Sequence, residues 1–401
     1  MGYLDKPQRL WWRKVLFQTH LWVGVILGLY IIVIGLTGSI LVFRDELALA
    51  SHPDLNFENS ANPARWPDLT KVMRNVQATY PEYKLVSAYM PTAVTKGFLV
   101  YMEGANERWI YVIADPADGR IAGSMDLKTS WLFWMSDLHI RLLAGNVGWI
   151  LNGLGAGFLV LLTVTGLILW WPGIKTWPRA LTITRKRSWK RINFDLHSAI
   201  GFWTLSIVFM WALSGVYFVF PKQFEAVVNY VSPVAAGVEP QVKLPPPVDG
   251  QSADIQSLLA QAKAASPASK LAGIYIPKNA KSPITVFMAR HALRDFSQMD
   301  RIYFDPSSGR QLAIWHAGVN PTLGSKFVYW LSPLHFGVYW GTGVKILWAA
   351  LGLSLPVLTI TGALMYWNRS LSKYWAKLKF PPTRAAPPGR VPRRSISIVR
   401  M

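Results

Sequence analysis

Residues 12–38, WRKVLFQTHLWVGVILGLYIIVIGLTG, decide the fold: a basic, aromatic entry with one histidine leads into an apolar run. The pattern returns at residues 189–215, WKRINFDLHSAIGFWTLSIVFMWALSG, at a constant offset of 177. The identical residues include these pairs: Trp12 and Trp189, Phe17 and Phe194, His20 and His197, Gly24 and Gly201, Gly38 and Gly215. The sequence therefore predicts an internal repeat.

Apolar content indicates the class of protein. The 401 residues are 51% hydrophobic and 16% charged, and 20 of them are tryptophan. A helix needs about 20 residues to cross a hydrocarbon core of ~30 Å. Four apolar runs reach that length: residues 21–43, 149–171, 199–220 and 346–367. We predict an α-helical integral membrane protein with four transmembrane helices in a lipid bilayer.

The net charge of +21 is concentrated beside these runs. Three segments hold 4, 7 and 9 Lys and Arg residues against two acids, and so supply +18 of that charge: residues 1–14, 172–196 and 368–401. Basic residues beside membrane spans mark the cytoplasmic side, which predicts cytoplasmic N- and C-termini. These segments are too short to fold around a core, so we expect no nucleic-acid binding.

Several cofactor classes have no motif in this chain. It has no cysteine, which excludes iron–sulfur clusters, covalently attached haem, thiolate zinc sites and disulfides. It also lacks a Gly-x-Gly-x-x-Gly loop, and the cytoplasmic loops cannot house a nucleotide-binding domain. No NAD or flavin site is expected.

The two long segments between spans, 44–148 and 221–344, are predicted to lie outside and to fold as small α+β units. Each has a helical stretch followed by alternating apolar residues typical of strands. Each also has a turn, DPADGR or DPSSGR, whose glycine supplies a positive φ. The helical stretches lie around residues 67–80 and 252–266.

A second recurrence, at an offset of 196, precedes and enters the second and fourth spans. Its pairs are Trp134 and Trp330, Ser136 and Ser332, His139 and His335, Thr165 and Thr361, Gly166 and Gly362. Glycines at 145, 341 and 343 are expected to separate an interfacial helix from each span. Both histidines then lie at the outer membrane surface.

The chain therefore reads as two parallel copies of span, outer unit and span, related by an axis along the membrane normal. The predicted order is the N-terminus and first span (1–43), outer domain 1 with an interfacial helix (44–148), the second span (149–171), a basic loop (172–196), the third span (197–220), outer domain 2 with an interfacial helix (221–344), the fourth span (345–367) and a basic tail (368–401).

Four histidines occupy repeated positions at two membrane depths. His20 lies about 35 Å from the far end of its own helix, so it cannot reach His139 and must pair across the two halves. Two facing histidines without thiol or carboxylate suit the axial ligands of a b-type haem, whereas zinc takes three or four ligands. Each pair, His20 with His197 and His139 with His335, is a candidate for haem iron. The alternative is interfacial histidines bonded to headgroups or backbone.

Haem propionates need cationic partners, and basic residues stand near both predicted sites. The candidates are Arg13, Lys14, Lys190 and Arg191 on the inner side, and Arg44, Arg141 and Lys345 on the outer side. Their alternative role is ordinary interfacial anchoring.

The first span also carries a glycine stripe, Gly24, Gly28, Gly35 and Gly38, which predicts either helix packing or the floor of a haem pocket. The unrepeated His52, His291 and His316 are expected at the outer surface.

Four features carry a family resemblance: the WxKxxFxxHxxxG entry, the LTGxxLVFRDEL stretch, the DPxxGR turns and the LH before spans two and four. In these features the chain resembles the PepSY-associated transmembrane family. Within that family, the whole chain is similar to inner-membrane ferric-siderophore reductases. The resemblance implies two periplasmic PepSY-type domains on a four-helix bundle in a bacterial inner membrane. It also implies two haems on His20, His197, His139 and His335, and outward electron transfer that reduces a ferric siderophore and releases Fe(II).

The sequence thus favours a haem-dependent ferric reductase that conducts electrons across the membrane. Because no nucleotide domain is expected, the electron donor is predicted to be quinol or a separate reductase. A transporter is one alternative, although the spans hold almost no carboxylates. A PepSY-type sensor or protease-modulating protein is another, and it leaves the four histidines without a role.

Overall fold

The structure is a computed structural model. It describes residues 10–51, 68–92, 96–126, 129–184, 187–234, 240, 242–246, 252–279, 281–290, 299–316, 322–337, 341–372 and 375. His52 and His291 lie outside the described residues, as does the end of the basic tail from residue 376.

Helices and strands follow in this order. The helices are α1 (Trp11–Ile26), α2 (Gly28–Leu41), α3 (Arg44–Ser51), α4 (Leu69–Thr79), α5 (Trp131–Arg141), α6 (Gly145–Trp170), α7 (Trp177–Ala180), α8 (Trp189–Val219), α9 (Pro221–Asn229), α10 (Ile255–Ala265), α11 (Leu323–Phe336), α12 (Gly341–Gly352) and α13 (Ser354–Tyr366), with a 3₁₀ turn at Ala105–Glu107 and a π-helical turn at Trp367–Leu371. The strands are β1 (Lys84–Tyr89), β2 (Phe98–Glu103), β3 (Trp109–Ala114), β4 (Ile121–Asp126), β5 (Lys270–Tyr275), β6 (Ile284–Ala289), β7 (Met299–Phe304) and β8 (Gln311–His316).

Among the described residues, three helical segments are long and apolar enough to cross a membrane. They are α6, α8 and Gly341–Leu371, which contains α12, α13 and the π-helical turn. The pair α1 and α2 makes a fourth span if it is counted as one. The prediction of a multi-pass membrane protein is therefore confirmed.

The first predicted span is two helices rather than one straight helix. α1 and α2 meet at an angle of 64°, and Leu27 between them leaves helical geometry at φ −92° and ψ 2°. Glycines stand on both sides of this residue, at Gly24 and Gly28, and glycine weakens a helix interior.

The last span is also interrupted, at Leu353, because Pro356 has no N–H to donate to the Gly352 carbonyl.

The strands of both long segments form one antiparallel sheet, in the order β4-β3-β2-β1-β5-β6-β7-β8. The two predicted outer units therefore share a sheet through β1 and β5, where Ala88 lies opposite Ile274. A Cβ on Gly273 at this junction would lie 2.5 Å from the Tyr89 ring, so the close approach requires glycine. Each unit contributes four strands to the sheet, β1 to β4 and β5 to β8.

α4 and α10 pack on one face of this sheet and bury its apolar side chains. Each helix begins at an aspartate that caps it: Asp68 accepts from the Thr70 amide, and Asp254 accepts from the Ser257 amide. Both helices lie where the sequence predicted helical stretches. The shared core includes Leu69, Val72, Val76, Phe98, Met102, Leu258, Ile274, Met288 and Phe304, all fully buried or nearly so.

The two DPxxGR turns connect the last strands as the sequence predicted. Gly119 has φ 77° and Gly309 has φ 68°, and each turn is closed by an aspartate amide that donates to an arginine carbonyl. In the second turn, the Ser308 hydroxyl donates to Oδ2 of Asp305 at 2.5 Å. This hydrogen bond lowers the pKa of Asp305 below its ordinary value because it stabilises the ionised carboxylate.

Candidate histidine sites in the helical bundle

Two histidine pairs lie at opposite ends of the helical bundle. The distal pair, away from the sheet, is His20 on α1 and His197 on α8, with ring centroids 6.4 Å apart and ring planes at 89°. The proximal pair is His139 on α5 and His335 on α11, with centroids also 6.4 Å apart and planes at 62°. Each pair joins the two halves of the sequence, which is the pairing that the sequence predicted.

Both proximal histidines lie in the last turn of their helices, His139 in α5 and His335 in α11. α5 ends at Leu142 with φ 50°, and α11 ends at Gly337 with φ 63°, so both helices end in the left-handed region just after their histidine. Asn152 on α6 then donates to the His139 carbonyl at 2.9 Å and accepts from the Tyr30 hydroxyl at 2.8 Å. This network links α2, α5 and α6 beside the proximal pair.

Every one of the four imidazoles has its Nδ1 atom beside a hydroxyl of a neighbouring span. The distances are 3.0 Å from His20 to Thr165, 3.0 Å from His197 to Thr361, 2.9 Å from His139 to Thr37, and 2.6 Å from His335 to Ser214. The hydroxyls occupy corresponding positions in the two halves, at the same offsets of 177 and 196.

These contacts assign the tautomer of each imidazole. Each hydroxyl already donates to a backbone carbonyl one turn earlier in its own helix, as Thr165 does to Leu161 at 2.7 Å. A hydroxyl has only one hydrogen, so its oxygen accepts from Nδ1–H of the histidine. His197 Nδ1 also lies 3.0 Å from the Leu358 carbonyl oxygen, which can only accept. The Nε2 atoms therefore keep their lone pairs, which is the form of histidine that binds metals.

A glycine follows each anchoring hydroxyl, and three of these glycines make room for an imidazole. A Cβ would lie 3.0 Å from His139 Cε1 at Gly38, 3.2 Å from His20 Cε1 at Gly166, and 3.3 Å from His197 Cε1 at Gly362. At Gly215 the neighbour is the Ala156 side chain instead, at 2.9 Å. A Thr-Gly or Ser-Gly pair in each span is the sequence signal for these anchors, and the predictions made from the sequence did not use it.

Two other glycines of the first-span stripe, Gly28 and Gly35, serve helix packing. A Cβ at Gly28 would lie 3.1 Å from the Thr359 side chain, and one at Gly35 would lie 2.8 Å from Leu355. Both neighbours belong to α13, so these glycines let α2 and α13 approach closely. Of the two alternatives for the stripe, packing describes Gly28 and Gly35.

Most of the predicted propionate partners are engaged by protein groups. Arg191 pairs with Asp195 at 2.9 Å, Lys345 pairs with Glu46 at 2.7 Å, and Arg13 donates to the Ile168 and Leu169 carbonyls. Two further arginines, Arg44 and Arg141, are exposed and lie 3.7 and 3.8 Å from aspartates. Lys14 is exposed, and Lys190 lines a cavity near His197.

On the sheet, the half-exposed His316 lies 3.0 Å from the Asp300 carboxylate.

The space between the two pairs is apolar. Along α8, the 17 residues from His197 to Ser214 place the pairs about 25 Å apart. The cluster that fills this space comprises Ile31, Leu162, Val208 and Leu355, packed against Val23, Leu27, Tyr30, Leu159 and Trp211. This packing separates the two pairs by an apolar layer.

Each pair has the ring spacing expected for two nitrogen ligands on one metal ion. An imidazole nitrogen binds a first-row metal at about 2.0–2.1 Å, so two imidazoles on opposite sides of one ion have centroids roughly 6 Å apart. The observed 6.4 Å matches this spacing at both sites. Within the described residues, no group of three or more His, Asp or Glu side chains could hold a metal ion.

Comparison with known proteins places the chain in a family. The sequence model of the PepSY-associated TM region matches residues 17–369. This protein belongs to the PepSY-associated TM region family. The matched range of this PepSY-associated protein includes both histidine pairs and the whole sheet. No curated protein matches the sequence significantly.

Proposed function

We propose that this PepSY-associated protein is a transmembrane electron conduit that reduces a ferric chelate, such as a ferric siderophore, and thereby releases Fe(II). In this proposal the distal and proximal pairs each bind one b-type haem. The membrane is a bacterial inner membrane, the distal pair lies near its cytoplasmic face, and the sheet lies in the periplasm.

The observation that carries the proposal is the matched geometry of the two pairs. Both have the same centroid spacing, and all four Nδ1 atoms are bonded to hydroxyls, which directs Nε2 to a ligand. Histidines that merely bond to headgroups would not need this arrangement at both ends of the bundle. Haem, when bound, supplies one-electron redox chemistry that amino-acid side chains lack.

The chain's own residues have three tasks in this function. The hydroxyls of Thr37, Thr165, Ser214 and Thr361 hold the imidazoles in orientation and tautomer. The apolar cluster between the pairs excludes water, and the sheet provides the surface near the proximal pair where a ferric chelate is reduced. Reduction weakens the hold of hard oxygen ligands on iron, because they bind Fe(II) less strongly than Fe(III).

The direction of electron transfer follows from charge. The described parts of the basic segments, residues 172–184, 187–196 and 368–372, adjoin the bundle end with the distal pair, which by the positive-inside rule faces the cytoplasm. The reductant is inside the cell and the ferric chelate outside it, so electrons pass from the distal pair to the proximal pair.

The visible spectrum of the purified protein tests the proposal. Expression with ample haem should give a Soret band, and dithionite should produce sharp α and β bands typical of bis-histidine haem. His20→Ala and His197→Ala should each remove the same haem, and His139→Ala and His335→Ala the other. His316→Ala, which changes a histidine on the sheet, is the matched control and should keep both. Absence of a Soret band in the wild-type protein contradicts the proposal.

A further inference from the structure

We infer that a cavity beside the distal pair binds a quinol, which supplies the electrons; this inference rests on the proposed function. The cavity has a volume of about 260 Å³. Its lining comes from α8 and from the end of the last span, and consists of two cations, two amides and two apolar side chains: Lys190, Arg369, Asn193, Asn368, Phe194 and Met365.

The cavity lies directly next to a predicted haem ligand. Asn193 precedes His197 by one helical turn on α8, a rise of about 6 Å. The Nδ2 atom of Asn193 donates to the Thr361 carbonyl at 2.9 Å, and the hydroxyl of this same Thr361 accepts from His197. A molecule bound against Asn193 is therefore adjacent to the distal histidine.

Asn193 carries an unused hydrogen-bond acceptor. Its side chain is only 1% exposed, and its Oδ1 atom has no hydrogen-bond partner among the residues that the structure describes. The amide orientation is set by the Thr361 carbonyl, which can only accept, so the free atom is the oxygen. Buried acceptors are rarely left unsatisfied, so this oxygen is available to a group that donates a hydrogen bond.

A hydroquinone matches this chemistry. One hydroxyl donates to Asn193 Oδ1, and Lys190 or Arg369 donates to the oxygen on the opposite side of the ring. Phe194 and Met365 provide apolar walls for a flat ring. An ionised haem propionate would satisfy the two cations but offers only acceptors, so it would leave the Asn193 oxygen unsatisfied.

The local backbone and the other half of the chain support a specialised site. Asn368 and Arg369 lie on the π-helical turn, and π-turns occur frequently at functional sites. At the positions in the first half that correspond to Asn193 and Met365, the chain has Leu16 and Leu169. There Arg13 instead donates to the Ile168 and Leu169 carbonyls. The polar cavity is therefore a feature of the second half.

The reaction balances with the ferric chelate as oxidant. Oxidation of one quinol to quinone breaks two O–H bonds and releases two electrons and two protons. The electrons leave singly past His197, and the protons pass to water at the cytoplasmic surface. Two ferric ions are reduced to Fe(II) for each quinol that is oxidised.

Calorimetric titration of the full chain with decylubiquinol tests the inference. The protein is first reduced with dithionite, without oxygen, so that binding occurs without turnover. Asn193→Leu, which introduces the residue found at the corresponding position of the first half, should weaken quinol binding about tenfold, the value of one lost hydrogen bond. Asn368→Leu should also weaken binding while keeping the bond between Asn193 and Thr361. Gln18→Leu makes the same amide-to-leucine change outside the cavity lining and should bind as the wild type.

Equal affinity of the wild type, Asn193→Leu and Asn368→Leu overturns the quinol site. Loss of haem from Asn193→Leu together with unchanged binding by Asn368→Leu also overturns it, because Asn193 then acts only through Thr361. The two proposals fail separately. Wild-type protein that lacks a Soret band but binds decylubiquinol through Asn193 refutes the conduit and retains the quinol site.

Discussion

The hydroxyl oxygen of Ser214 lies 2.6 Å from Nδ1 of His335, the shortest of the four contacts between a hydroxyl and a paired histidine. Ser214 is fully buried, and its hydroxyl also bonds to carbonyls of its own helix. The imidazole is therefore oriented by a residue 121 positions away in the sequence.

We predict that Ser214→Ala weakens haem binding at the proximal site by about 10–100-fold, the usual effect of removing a group that orients a metal ligand. Haem titration of the apoprotein measures this change. Ser39→Ala is the matched control, since it removes a buried hydroxyl that bonds to the Gly35 carbonyl. Equal haem affinity of the two variants would show that Ser214 does not orient His335.

Gly166→Ala should disturb the distal site. A Cβ at this position would lie 3.2 Å from His20 Cε1, so the imidazole must shift away from Thr165. We expect lower distal haem occupancy and a changed reduction potential, measured by spectroelectrochemistry. Gly157→Ala on the same helix is the control, because a Cβ there meets no described atom within 4 Å. An unchanged potential in Gly166→Ala argues against contact with the ligand.

The ion pair of Lys345 and Glu46 tests the predicted role of Lys345 as a propionate partner. The Lys345 side chain is only 12% exposed, so Lys345→Met leaves the Glu46 carboxylate without its cation and should lower thermal stability. Adding Glu46→Gln should restore stability. If Lys345 also holds a propionate, proximal haem occupancy stays low in the double variant. Full haem occupancy there assigns Lys345 to Glu46 alone.

Gly273→Ala should weaken the junction between the two halves of the sheet. The added Cβ would lie 2.6 Å from the Ala88 carbonyl oxygen, which forces β1 and β5 apart. We expect a loss of about 1–3 kcal/mol in sheet stability, as for other overpacked sites. Hydrogen exchange at the amides of β1 and β5 measures the effect. Unchanged exchange would mean that the strands do not pair as described.

The second DPxxGR turn should respond to pH. Asp305 has a lowered pKa, so its contribution to stability is complete above the pKa of the unfolded state and is lost as pH falls through the folded value. Ser308→Ala removes the main cause of the lowered pKa and should make the protein less stable at neutral pH. The difference from the wild type should shrink under acidic conditions, measured by thermal unfolding across pH.

Sequence by itself determined the features that depend on local composition and spacing. The length of the apolar runs identified a membrane protein, and the repeated histidines predicted which residues would pair. The DPxxGR turns were recognisable because glycine is required locally at positive φ. Membership of the PepSY-associated family also followed from motifs that can be read along the chain.

Only the tertiary structure decided what depends on contacts between distant segments. The pairing of β1 with β5 and the attachment of the imidazoles to hydroxyls both arise between elements far apart in sequence. The same is true of Lys345, whose charge suggested a propionate partner and whose neighbour is Glu46. Asn193 was unremarkable in sequence, because an unsatisfied acceptor is visible only when its surroundings are packed around it.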